Sequence, residues 1–491
     1  MKKNKKEVFK SLLLVILLLT SLFQVGFLWS GINEGLTIPF VANIESGAPE
    51  SKVKSYSPEF NISDFASVIL NPYRVTICDG GQQSQKTQRS HFLVPRKSAL
   101  FTTVKERVLS LLYDIAANPP EYLLPVGDWG DLISERGALV EFRTPIPLEI
   151  VAWLSERGVL AQDAPSEINK LLIVPDEHEG RQSVCLYALT NDRIVRTISQ
   201  SANYYDMLKM INEGLATLGG DISSPRYMTI NEFGGGRFPN FAPDVFCVVE
   251  GPKTGEFKHI RYTAPMDVRD QSELENIILA NDIYSYNRSI DYNDTLVFKN
   301  VTSIYRLYKS GYMEYNYIPL TQAADKGGVA AAMENAAAYI LNIERQLLGG
   351  ADLVLSGVYP NESDLTYRFT FDYVIEDFPV YFRYNNVSDS DGFQNAINIA
   401  ATANRTVSCR WMLVDLFFSS NTRQMYTYFD QIDVDQSLTE MSVTDIAVAY
   451  TIDLKEADAG VDFAGGANDG WPVWAMTAPD RSVQAVNMGG E

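Results

Sequence analysis

Apolar residues recur at helical spacing in three long stretches of the chain and at strand spacing in many shorter ones. Val104, Val108, Leu111, Leu112 and Ile115 share one helical face, and Pro119-Pro120 stops that helix. Tyr204, Leu208, Ile211, Leu215 and Leu218 form a second face ending at Gly219-Gly220, the pattern of a helix capped in the left-handed conformation. Val329, Met333, Ala336, Ala337, Ile340, Leu341, Leu347 and Leu348 predict an apolar stripe on a third helix, which ends at Gly349-Gly350. The two Gly-Gly endings hint at an internal duplication, although the segments after them differ in sequence.

Strands are predicted at 139–142, before a short helix over Leu148–Leu154, and at 171–174, 246–249 and 258–262. Hairpins are predicted for 184–188 with 194–198 around Asn191-Asp192, and for 301–309 with 312–318 about Ser310-Gly311. Tyr367, Phe369, Phe371, Tyr373 and Ile375 alternate with polar or smaller residues, as in an antiparallel strand with one buried face. A strand at 380–384 returns after the Glu376-Asp377 turn, and 410–418, 425–429, 446–454 and 471–476 supply more. A helix lying on an antiparallel sheet is the natural packing, so the expected fold class is α+β.

The start of the chain obeys neither pattern. Lys2, Lys3, Lys5, Lys6 and Lys10 crowd the first ten positions, and residues 12–29, LLLVILLLTSLFQVGFLW, carry no charge. As a helix rising about 1.5 Å per residue this run covers about 27 Å, close to the thickness of bilayer hydrocarbon. The lysines are the topology determinants, holding the N-terminus in the cytoplasm, and Phe27 and Trp29 suit the far interface. A cleaved signal peptide is the competing reading, but its apolar region is usually shorter and ends at a small-residue cleavage site. The flank Trp29-Ser30-Gly31-Ile32 has no such site, and no cysteine near it offers lipid attachment. The expectation is a single-pass cell-membrane protein: a cytoplasmic stub at 1–10, a transmembrane anchor at 11–29 and a stalk at 30–64.

Length and charge then constrain the remainder. The 491 residues, 46% hydrophobic and 21% charged, suffice for roughly three domains of about 150 residues. They divide into an α+β domain at 65–221, a mostly-β middle domain at 222–320 and a C-terminal α+β domain at 321–491, all extracytoplasmic. The formal charge is −20, and without the first ten residues 36 basic face 60 acidic residues, or −24. Such acidity argues against a nucleic-acid partner. Cys78, Cys185, Cys247 and Cys409 are far apart, with no metal-like spacing and no readable disulfide framework.

Catalytic signatures are missing. H-E-x-x-H, G-x-S-x-G, C-x-x-C and G-x-x-x-x-G-K-[ST] do not occur. Gly234-Gly235-Gly236-Arg237 offers backbone N–H groups beside an arginine but no strand–helix frame, so it reads as a loop. Asp176-Glu177-His178-Glu179 reads as a solvated loop, and Asp389-Ser390-Asp391-Gly392 misses the register of a calcium-binding loop. Asp433 with Asp435, and Asp291 with Asp294, read as solvated acids, while His91 and His259 have no sequence-local partners. No cofactor or metal is expected.

A ten-residue stub cannot house a kinase or DNA-binding domain, so information crossing the membrane must pass to another protein. Thr20 and Gln24 are i,i+4 neighbours, and Gly26 with Ser30 gives a small-xxx-small spacing. An amide in hydrocarbon is costly without a partner, which makes Thr20, Gln24 and Gly26 the candidate partner-binding face.

The lysine-rich stub, the anchor ending Phe27-Leu28-Trp29 and several mixed external domains resemble the YycH proteins. These are membrane-anchored regulators of the YycG (WalK) sensor kinase of low-GC Gram-positive bacteria. Further similarities are Phe142-Arg143-Thr144-Pro145-Ile146-Pro147, Gly311-Tyr312-Met313-Glu314-Tyr315-Asn316, the stretch 367–380 and Pro472-Val473-Trp474. The resemblance implies a non-enzymatic accessory protein that acts with a YycI-like membrane protein on a YycG/WalK-like sensor histidine kinase and affects cell-wall homeostasis. The chain departs from that pattern in its acidic loops and in its Gly-rich tail after Asp458. The alternatives are an external scaffold or binding protein for envelope assembly, and an envelope hydrolase assembled from distant residues. A deep pocket where histidine and carboxylates converge favours the hydrolase.

Overall fold

The computed structural model describes residues 60–81, 90–158, 160–178, 180–220, 224–234, 238–251, 254–279, 286–291, 294–318, 327–347, 351–361, 366–384, 394–427, 441–454 and 470–488. The stub lysines, the anchor with Thr20, Gln24 and Gly26, and all but the end of the stalk lie outside these residues. So do Gly235, Gly236 and Arg237, the Asp389–Gly392 run, Asp433 and Asp435. Among the described residues no helix is long and apolar enough to cross a membrane.

The span expected to be stalk up to residue 64 already holds a helix, α1 (Ile62–Ile69). Asn61 accepts from the Asp64 N–H and Asp64 accepts from the Asn61 N–H, both at 3.0 Å, a capping box that fixes where the turn begins. Phe65, Val68 and Ile69 are its buried face.

Nine strands, all paired antiparallel, make the first sheet. They are β1 (Arg74–Cys78), β2 (His91–Leu93), β3 (Tyr122–Leu124), β4 (Gly137–Pro147), β5 (Glu167–His178), β6 (Arg181–Leu189), β7 (Ile194–Ile198), β8 (Arg226–Thr229) and β9 (Phe246–Glu250). Their order is β3-β7-β6-β5-β4-β1-β2-β8-β9. Helices α2 (Ala99–Ala117), α3 (Trp129–Leu132), α4 (Leu148–Leu154), α5 (Tyr204–Gly219) and α6 (Ile230–Gly234) are interspersed. The face predicted on α2 is buried throughout, and Ser98 caps it by accepting from the Phe101 N–H.

Two local expectations change here. Asp176, Glu177 and His178 are strand rather than loop, paired with Ser183, Gln182 and Arg181, and Asp176 lies 3.7 Å from Arg196. Helix α5 buries Met207, Met210, Ile211, Gly214 and Leu215, with Leu208 only half-buried, and its cap Gly220 has φ −80° instead of a left-handed value. The buried face centres on Gly214, where a Cβ would lie 2.5 Å from Ile77 Cδ1 and 2.7 Å from Leu100 Cδ2. A glycine there lets the helix sit directly on β1.

The second half builds a twelve-stranded sheet and a two-stranded ribbon. The ribbon pairs β10 (Thr254–Thr263) with β20 (Asp415–Tyr426). Helices α7 (Pro265–Val268) and α8 (Gln271–Ile278) come after β10. The sheet contains β11 (Asn287–Ile290), β12 (Leu296–Lys299), β13 (Ser303–Leu307), β14 (Tyr312–Tyr317), β15 (Asp352–Asn361), β16 (Thr366–Ile375), β17 (Phe378–Tyr384), β18 (Ile397–Ala401), β19 (Thr406–Met412), β21 (Asp445–Leu454), β22 (Pro472–Thr477) and β23 (Val483–Asn487). The predicted single strand at 410–418 is two, β19 and β20, separated at Leu413-Val414. All pairings are antiparallel except β17 with β21, and β16 takes β15 on one side with β17 and β18 on the other.

Helix α9 (Val329–Leu347) is more deeply placed than an apolar stripe implies. From Ala332 to Leu341 only Glu334 is exposed. One side lies on β16, β18 and β19, as expected of a helix on a sheet, and others meet α1, α4 and α8. A helix buried on several sides needs small apolar residues, which the Ala-rich 329–338 stretch supplies. One hydrophobic core therefore runs from α2 and β4 through α9 to β16 and β21. The segment expected as a middle domain is shared out: β8 and β9 join the first sheet, β10 the ribbon, and β11–β14 the second sheet. All described residues belong to one unit, Ser55–Glu491.

The hairpin about Ser310-Gly311 forms as predicted, with Gly311 at φ +86° and its would-be Cβ 2.7 Å from the Leu413 carbonyl oxygen. Gly311→Ala adds both backbone strain and a backbone clash, and we expect a loss of about 1–3 kcal/mol. Urea unfolding measures it as a lower midpoint at constant slope; an unmoved midpoint contradicts the assignment.

Candidate functional site

Three neighbouring strands of the first sheet carry charge in one row. Arg74 on β1 faces Glu141 on β4, and Glu141 faces Lys170 on β5. Opposite charges across a ladder attract: Arg74 Nε lies 2.5 Å from Glu141, and Lys170 Nζ lies 3.0 Å from Glu141 and 2.7 Å from Asp244. Asp445, the first residue of β21, closes the row from the second sheet. It accepts from Arg74, from Arg143 and from the Tyr73 hydroxyl, each at 3.0 Å. Arg143 also donates to Tyr381 and to Thr477 Oγ1, and its Nε lies 3.8 Å from Asp372 on β16.

Burial makes these pairings consequential, since Glu141 and Asp372 are only 2% and 3% exposed. Burial alone would raise the Glu141 carboxyl, but Arg74 and Lys170 overcome it and bring the pKa down to about 2. Burial works against all three cations, yet each is held above its ordinary value. Glu141 and Asp445 raise Arg74, Tyr381, Tyr73 and Asp445 raise Arg143, and Asp244 with Glu141 raises Lys170. Asp372 goes the other way: burial raises it, and Arg143 with Asn395 offsets only part of the effect. The cluster is an ionic clamp between two sheets, with Asp372 as its least compensated member.

Beside the clamp opens a cleft of about 640 Å³. Phe142, Arg143, Thr144 and Pro145 form one wall, and Ser356, Asp372, Asn395 and Arg481 line it from the second sheet. Thr144 is 2% exposed, and among the described residues its hydroxyl has no hydrogen-bond partner. Arg481 sits in the β22–β23 turn at φ +68°, an uncommon conformation for a side-chain-bearing residue, and donates to the Ser356 carbonyl and the Tyr359 hydroxyl, both at 3.1 Å. Four carboxylates, Glu141, Asp372, Asp445 and Asp480, line the cleft, but among the described residues no histidine does.

Elsewhere, His91 is buried on β2, 3.5 Å from Glu232 on α6. Glu232 accepts from the Thr229 N–H and hydroxyl and from the Ser134 hydroxyl. Burial disfavours the imidazolium, but Cys78 and Glu232 outweigh it and raise His91 to about 9. Burial likewise opposes the Glu232 carboxylate, and His91 and Thr229 bring it down to about 2. His259 packs edge-on against Trp471, with ring centroids 5.0 Å apart. Asp294 pairs with Lys309 at 2.5 Å, and its N–H donates to the Asp291 carbonyl in a turn. All four cysteines are buried, free thiols. Among the described residues no three His, Cys, Asp or Glu side chains converge as a metal site.

None of the clamp residues was singled out by spacing. Arg143 and Thr144 do fall inside the Phe142–Pro147 string that carried the family resemblance. The usable signal is Glu141 and Arg143 standing in an otherwise apolar strand, and Asp372 between Phe371 and Tyr373.

No family model matches the chain, and no curated protein matches it by sequence. Among solved structures, the crystal structure of YycH from Bacillus subtilis matches with a TM-score of 0.53, over 87% of this chain and 97% of that one, at 13% identity. The chain has a YycH-like fold. The expected resemblance therefore holds for the architecture, over 87% of this chain.

Removing one partner from a buried pair leaves uncompensated charge, so Asp445→Asn should destabilise by about 3 kcal/mol. The Arg74→Met/Asp445→Leu double variant should cost less than the two single changes together, and strict additivity in a chemical-denaturation cycle would show the pair uncoupled. The His91 pair sets a pH dependence. A raised imidazole stabilises fully below its unfolded value of 6.5 and loses that contribution as pH rises through about 9. The excess stability over His91→Gln should thus shrink between about pH 6 and about pH 10 in urea titrations; an excess that grows with pH refutes the pairing.

Proposed function

We propose that this chain is a non-enzymatic, membrane-anchored accessory protein that regulates a two-component sensor histidine kinase. The observation that carries the reading is the fold likeness to YycH over almost the whole of both chains. The lysine stub and the uncharged run at 12–29 support an N-terminus in the cytoplasm, one membrane passage and a bulk that is extracytoplasmic. The finer form names a YycG/WalK-like kinase, a YycI-like membrane protein as companion, and cell-wall homeostasis as the process affected. A regulator of this kind shifts a two-state receptor only as far as its affinities for the two states differ.

Within this reading the face of Thr20, Gln24 and Gly26 packs against a transmembrane helix of the kinase. Gln24 would supply an interhelical hydrogen bond, and Gly26 close backbone approach. Crosslinking in native membranes, then capture of this chain, should co-purify a sensor kinase. Gln24→Leu with Gly26→Leu should insert normally, reduce that yield several-fold and alter kinase-dependent transcription. If the double variant crosslinks and signals as the parent does, the helix face is not the contact. Replacing residues 12–29 by an unrelated membrane helix separates the external scaffold from the regulator, because a scaffold keeps working.

A further inference from the structure

The cleft beside the clamp holds one cation with only neutral hydrogen-bond acceptors and one buried carboxylate whose nearest cation is distant. Arg74, Arg143 and Lys170 each have a carboxylate within 3.0 Å. Arg481 has none within 4 Å among the described residues, and its Nη1 is held by two neutral acceptors, the Ser356 carbonyl and the Tyr359 hydroxyl. The adjacent Asp480 turns instead to the N–H and hydroxyl of Ser482. Asp372 is buried, with Arg143 as its cation at the long distance of 3.8 Å. Ser356 and Asn395 connect the two: Asn395 Nδ2 donates to Ser356 Oγ at 3.2 Å and to Asp372 Oδ1 at 2.7 Å. A guanidinium and a carboxylate thus stand on either side of a small polar bridge, in one cleft of about 640 Å³.

We propose that this cleft binds a small zwitterion of the amino-acid or short-peptide class, its carboxylate on Arg481 and its ammonium on Asp372. A guanidinium fork matches a carboxylate geometrically, and a buried carboxylate short of positive charge suits an ammonium. A polyanion fits poorly, because four carboxylates, Glu141, Asp372, Asp445 and Asp480, line the same space. An uncharged ligand would leave the Arg481 guanidinium with neutral acceptors only. The left-handed backbone at Arg481 is the kind of local strain that sites of recognition retain.

The full-length protein in detergent is titrated calorimetrically with the common L-amino acids and their alanyl dipeptides, and with N-acetylated and C-amidated forms of whichever binds. At least one free zwitterion should bind saturably, and each blocked form should bind about tenfold or more weakly, the loss of one charge-assisted contact. Arg481→Gln should abolish the preference for free carboxylate over amide, and Asp372→Asn the preference for free amine over acetyl. The proposal is overturned if no member of the panel saturates below about 10 mM, or if blocked and free forms bind alike. The blocked-ligand comparison uses the unaltered protein, so it stands even where a variant fails to fold.

Discussion

Charge taken out of water must be matched at short range, and this constraint governs how the two large sheets meet. Asp445 is the pivotal contact: one carboxylate from β21 answers Arg74, Arg143 and Tyr73 from the first sheet. Replacing such a cluster wholesale by apolar side chains is often energetically neutral, whereas breaking it singly is not. Its contribution is therefore chiefly geometric. Hydrophobic contact between β4 and β15 would tolerate many offsets, but the row Arg74–Glu141–Lys170 accepts Asp445 at one.

Helix α9 imposes the complementary, apolar constraint. Because it is covered by its own sheet and by α1 and α4 from the first half, neither half can complete its core alone. This accounts for the distribution of the middle segment among sheets. Length and composition suggest domains, but a domain boundary requires that few contacts cross it, and α9 draws contacts from both sides.

Much of the local structure was legible because it is encoded locally. The face of α2, the whole of α4 and the hairpins at Asn191-Asp192 and Ser310-Gly311 can be read from periodicity and turn residues. The break between β19 and β20 was not, since Trp411-Met412-Leu413-Val414 is an unbroken apolar run with no turn former. Helix α9, buried on several sides, was read as a stripe because alanine is weakly apolar on any scale of periodicity. The site was the least legible part. Arg143 and Asp445 are 302 positions apart, and no spacing rule reaches that far. What the sequence did display was the anomaly itself, charged residues inside apolar strands, without the partners that explain them.

The position of α1 has a mechanical consequence. The chain enters the described structure at Phe60 and within two residues is helical, with Phe65, Val68 and Ile69 set into the shared core and α1 lying against α9 and β15. Tension arriving from the N-terminal side would thus load the centre of the protein in shear, across several buried side chains at once. It would not peel an edge strand one hydrogen bond at a time. A pull applied at α1 therefore reaches the shared core directly, and through that core both sheets together, as it would through a stiff lever.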